Sequence, residues 1–121
     1  MNPWNEREAI DDLENCFKKG FKGVKLHPAL CGFHLSNKKL VTPIFEVAES
    51  YGGVVIVRGS ADLYNCPLEF DRMAGRFPKV PLIMAHSGFF WQWELAIEVA
   101  LENEKEFDKI MGGTIMSLLK E

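Results

Sequence analysis

The sequence predicts an α/β fold built on parallel strands, and three observations carry that prediction. Short apolar segments begin at about residues 24, 54 and 81, a spacing of roughly 30 residues that matches one strand–helix–strand unit. The segment Val54-Val55-Ile56-Val57 is apolar at consecutive positions, as suits a strand buried on both faces. Each segment ends in a residue with chemistry, His27, Arg58 or His86, and in parallel sheets chemistry is placed at the C-terminal ends of the strands.

The elements follow in order. Residues 6–19 place Ile10, Leu13, Cys16 and Phe17 at helical spacing, with acids early and Lys18-Lys19 late, as the helix dipole favours. Gly20 ends that helix. Val24–His27 reads as the first strand, and residues 28–39 as a loop holding Cys31, Gly32 and His34. Pro43 is expected to open the next helix, and Gly52-Gly53 to end it. The second strand is Val54–Val57. A helix then runs from Pro67 to about Arg76 and is stopped by Phe77-Pro78. Pro81–Ala85 is the third strand, residues 90–103 a helix, and Lys105 to Leu119 a final amphipathic helix.

Composition sets the outer limits. The chain has 121 residues, 47% hydrophobic and 26% charged, which suits one globular domain over 1–121. A net charge of -3 without a basic block argues against nucleic acid as a partner. No apolar run approaches the ~18 residues of a membrane span. Cys16, Cys31 and Cys66 are odd in number and lack zinc-type spacing, which fits reduced thiols in a cytoplasmic protein. The charged start, Met-Asn-Pro-Trp-Asn-Glu-Arg-Glu, differs from the apolar core of a signal peptide.

The local sequences add a family resemblance. It rests on Gly20-Phe21-Lys22-Gly23-Val24-Lys25-Leu26-His27-Pro28, on Pro43-Ile44-Phe45-Glu46-Val47-Ala48 and on Val54-Val55-Ile56-Val57-Arg58-Gly59. It continues through Arg76-Phe77-Pro78-Lys79-Val80-Pro81-Leu82-Ile83-Met84-Ala85-His86-Ser87-Gly88 and Trp93-Glu94-Leu95-Ala96. From about Gly20 to Asn103 the chain resembles the metal-dependent hydrolases of the amidohydrolase superfamily, in the branch that includes aminocarboxymuconate-semialdehyde decarboxylase-like enzymes. The run from Arg76 to Gly88 is the most specific part. The resemblance implies a (β/α)8 barrel, which needs about 250 residues. The expected fold is therefore a partial, truncated barrel of three parallel strands with flanking helices.

The resemblance also implies a divalent metal, zinc by type, and hydrolysis or decarboxylation of a small carboxylate or carbonyl substrate. It implies a His-x-His pair on a first strand and an Asp on a last strand, and neither is found here. Where the family usually has a ligand histidine, this chain has Arg58. Only His86 matches a functional family position, as a catalytic residue and candidate metal contact. Catalytic zinc wants three protein ligands and an open position, and a cation at Arg58 repels a divalent metal. Tight metal binding by this chain alone is therefore not expected. Arg58, with Lys25 and His27, is instead a candidate for binding a small-molecule anion.

Each candidate has a plainer reading: a hydrogen-bonded loop role for His27, an acid partner for Arg58, a salt bridge for Lys25, and an inherited structural role for His86. Two function classes stay open, a metal-dependent hydrolase or decarboxylase and a non-catalytic remnant acting as a structural or binding module. Arg58 and His86 are expected close together at the ends of neighbouring strands. Three strands cannot close a barrel and leave two open edges. A homo-oligomer is therefore expected, its interface on the sheet or on Phe89, Phe90 and Trp91.

Overall fold

Three parallel strands lie side by side in chain order in the computed structural model, which describes residues 1–60, 62–88 and 91–103. They are β1 (Gly23–Leu26), β2 (Val54–Arg58) and β3 (Leu82–Ala85). The register pairs Leu26 with Val57 and Val57 with Met84, and sets Arg58 beside Ala85. Around them run a single 3-10 turn (Pro3–Asn5) and the helices α1 (Glu6–Lys18), α2 (Pro28–Cys31), α3 (Lys38–Ser50), α4 (Pro67–Arg76) and α5 (Trp93–Glu102).

Parallel strands in sequential order, joined by right-handed connections, carry both crossover helices on one face of the sheet. The core agrees. Val24, Leu26, Val55, Val57, Leu82 and Met84 pack in one buried cluster with side chains from α1, α3, α4 and α5. The opposite face carries the row Lys25, Ile56 and Ile83, where Lys25 is exposed and the two isoleucines are half-buried. The expectation that Val54–Val57 is buried on both faces therefore fails at Ile56, which is half-buried. Val24, Leu26, Val55, Val57, Leu82 and Met84 are covered by helices.

Local signals explain most boundaries. In α1, Ala9, Leu13 and Phe17 recur every four residues and are buried, with Glu6 and Glu8 in the first turn and Lys18 in the last. The chain turns out of α1 at Gly20, whose φ of +97° is open only to glycine at low cost.

Three expectations need correction. Residues 28–39 are not all loop, because Pro28–Cys31 forms the short helix α2, with proline at its first position. Helix α3 starts at Lys38 and not at Pro43, because the Asn37 side chain caps it by accepting from the Leu40 N–H at 3.2 Å. Pro43 lies inside α3; its missing N–H frees the carbonyl of Lys39, an exposed residue, so water can take that bond. Helix α5 begins at Trp93 rather than residue 90. The helix expected over Lys105–Leu119, and Phe89 and Phe90, lie outside the described residues.

Candidate functional site

The three strand ends meet at one rim of the sheet, and the loops that leave them differ in what they do with their polar side chains. His27 follows β1. Its Nδ1 accepts the Leu30 N–H at 3.0 Å and so caps α2. A nitrogen that accepts carries no proton, so the neutral ring is protonated at Nε2. Pro28 fixes its own φ near the helical value at the first position of α2, which favours the turn that brings the Leu30 N–H within reach. Trp4 Nε1 donates to the Cys31 carbonyl at 2.7 Å and fixes the far end of the same turn.

The exit from β2 is a closed polar loop. Arg58 forms a 3.7 Å ion pair with Asp62, and both side chains are about seven-tenths buried. Asp62 Oδ1 also accepts the backbone N–H groups of Tyr64 (2.9 Å) and Asn65 (3.2 Å), a local turn that asparagine and aspartate favour. The Ser60 N–H donates to the Asn65 carbonyl at 3.2 Å, and Gly59 donates to the Ala85 carbonyl at 2.7 Å. Asn65 itself is fully buried, yet among the described residues neither polar atom of its side-chain amide has a hydrogen-bond partner. A buried amide left unmet costs roughly 1–3 kcal/mol, so such a group calls for a functional or solvent explanation.

The loops after β1 and β2 are fastened together. The Leu35 N–H donates to the Tyr64 carbonyl at 2.8 Å, and the His34 and Tyr64 rings sit 5.0 Å apart. Glu69, 4% exposed, accepts the Ser36 N–H at 2.8 Å and the Arg72 guanidinium at 2.7 Å. Arg76 donates to the Ser36 carbonyl at 3.0 Å.

The exit from β3 is of another kind. His86, Ser87 and Gly88 all have positive φ, at 68°, 47° and 83°. His86 and Ser87 are exposed. Left-handed backbone at residues other than glycine stores strain and concentrates at functional sites. Gly88 is required on steric grounds too, since a Cβ there would lie 2.4 Å from the Gln92 carbonyl oxygen.

The structure therefore brings Arg58 and His86 together as adjacent strand ends, as expected from their chain positions. Lys25 lies apart from them, exposed in the middle of β1, and makes no ion pair among the described residues. His27 is at the right end but its Nδ1 is occupied. The sequence reading missed Asn65 and Glu69. Glu69 had a faint signal, an acid at the third position of a helix opened by Pro67; its burial comes from a contact with a distant loop. Asn65 had none beyond its place in a turn-forming stretch.

A metal fits this rim poorly. Among the described residues no three His, Cys, Asp or Glu side chains gather as a ligand set. Asp62 is engaged by two N–H groups and by Arg58, whose charge opposes a cation. The three thiols, Cys16, Cys31 and Cys66, are free and half-buried. No described helix is long and apolar enough to cross a membrane. In comparisons with known proteins, a family model described as amidohydrolase matches residues 1–114. No curated protein and no solved structure matches.

Proposed function

The chain belongs to the amidohydrolase family, a hydrolase relationship, and on that premise we propose that its rim binds a small carboxylate or carbonyl substrate for hydrolysis or decarboxylation. The observation that carries this is the placement of Arg58 and His86 on adjacent strands, at one end of the sheet. In this reading β1, β2 and β3 are three neighbouring staves of a truncated (β/α)8 wall. The single-sided helix layer and the row Lys25–Ile56–Ile83 support it, the latter standing where a barrel lumen would be. The run Arg76 to Gly88 favours the aminocarboxymuconate-semialdehyde decarboxylase-like branch.

The Arg58–Asp62 pair is long for a charge-assisted bond and partly open to solvent, so it is weak. A substrate carboxylate replaces Asp62 on the guanidinium at little net cost. Asn65 offers its Nδ2 donors and its Oδ1 acceptor to a neutral polar group of the substrate once the β2 exit loop opens. His86 stands on the neighbouring strand end to exchange a proton with the bound molecule. The side chains at this rim do not suit a resident metal.

A second reading, a binding module without turnover, is favoured by a specific observation: the His27 ring nitrogen and the Arg58 guanidinium already have internal partners. One experiment separates them. Purified chain is titrated with small aliphatic and aromatic carboxylates, followed by NMR, and product formation is assayed in parallel. Binding that Arg58→Ala weakens about tenfold or more, with turnover lost in His86→Ala, supports the enzyme. Binding that Arg58→Ala weakens, without turnover, supports the module. Carboxylate affinity unchanged by Arg58→Ala overturns both.

A further inference from the structure

The two flanks of the sheet are complementary to each other. At one flank, β1 is the outermost strand, and its outer edge borders a groove of about 370 Å³ against α1. Ala9, Leu13, Cys16, Phe21 and Val24 give the groove an apolar lining, with Asp12 and Lys25 also on its wall. At the other flank, α5 turns Ala96, Val99 and Ala100 inward. Trp93, Ile97 and Leu101, spaced four residues apart, remain 53%, 48% and 52% exposed. An apolar stripe of that length on a helix already packed on its other side is a contact surface in waiting.

Charge follows the same polarity. Helix α1 ends just before β1 begins, so Lys19 and Lys22 lie at the N-terminal end of the sheet, both exposed. Helix α5 leaves β3 at the rim and runs back, so Glu98 and Glu102 approach that same end, also exposed. Adding a second copy beside β3, with its strands parallel to the first, sets the glutamates of one copy level with the lysines of the next. The α5 stripe then faces the α1–β1 groove, and the outer edges of β3 and β1, unpaired among the described residues, can pair.

We propose that this chain associates head-to-tail with a second copy of itself, the α5 stripe of one protomer seated in the α1–β1 groove of the next. The contact is heterologous, so each added copy presents a fresh flank and assembly proceeds to a ring or an open chain. Unlike surfaces meet, and this distinguishes it from a two-fold dimer in which α5 meets α5.

Light scattering on the eluting protein, from micromolar to millimolar concentration, tests this. The expected result is a mass above 13.8 kDa that rises with concentration and falls with salt. Ile97→Lys, a change at a half-exposed position, returns the mass to that of one chain. Reversing Lys19 and Lys22 to Glu weakens association about tenfold, and adding Glu98→Lys and Glu102→Lys to the same chain restores it. A single-chain mass throughout overturns the proposal and assigns the stripe to another segment of this chain or to a different protein. Association indifferent to the charge reversals overturns it in favour of α5 meeting α5.

Discussion

His27 and His86 begin from the same sequence pattern, a short apolar strand ending in histidine, and arrive at opposite employments. After His27, Pro28 starts a helical turn, and the ring is drawn in to cap it through the Leu30 N–H. After His86, Ser87 and Gly88 continue a left-handed backbone, and the ring stays at the surface. A strand-end histidine is thus no indicator of chemistry by itself. The next two residues decide whether the strand-end ring is drawn into a helix cap or left on an exposed, left-handed turn.

Three substitutions break or sharpen this contrast. The largest effect is expected from Gly88→Ala. The added Cβ would collide with the Gln92 carbonyl at 2.4 Å, at a φ of +83°, and the fold should lose about 3 kcal/mol, read as a fall in the urea midpoint at constant slope. A midpoint within error of the parent would mean that the β3 exit does not have this left-handed form. Next, His27→Ala removes a helix cap and should cost about 1 kcal/mol, most of it returned by His27→Asn. If alanine and asparagine behave alike, the cap is not what His27 supplies. The smallest effect is expected from His86→Gly: relief of a strained φ, worth up to about 1 kcal/mol, offsets what the side chain itself contributes, so the midpoint should barely move, while the proton exchange proposed for the ring is lost. A loss of stability comparable to that of His27→Ala would make the two histidines structural equals.

Some of this arrangement was readable in the sequence, for identifiable reasons. Strand positions were, because Val54–Val57 and Leu82–Ala85 are unbroken apolar runs bounded by turns and prolines; the burial on both faces that such runs suggest was not, since helices cover one face and Ile56 and Ile83 stay half-buried on the other. The neighbourhood of Arg58 and His86 followed from the strand positions, since sequential parallel strands place their ends side by side. The start of α3 was misjudged because Pro43 is a loud signal and Asn37 a quiet one; the cap hydrogen bond outweighs one missing N–H. The short α2 was invisible because four residues carry no periodicity. Asn65 and Glu69 were missed because their burial is set by tertiary contacts. Glu69, for instance, meets Ser36 across 33 positions of chain. Local sequence could supply the rim, but not which of its side chains would be spent on internal bonds.

The fastening of the first two exit loops has a consequence for motion. Ser36 is held from two sides by α4, its N–H by Glu69 and its carbonyl by Arg76, while its neighbour Leu35 is bound to Tyr64. The β1 exit loop cannot lift without surrendering a charge-assisted bond to a buried carboxylate, nor the β2 exit loop without breaking the Leu35–Tyr64 bond, so the two should open as one cooperative unit. In hydrogen exchange, the Leu35 and Ser36 amides would then be released together, in a single event that also frees the start of α4. The same event would carry Tyr64 and Asn65 with it, so a change made at Glu69, well away from Arg58, would reset how often the β2 side of the rim is available at all.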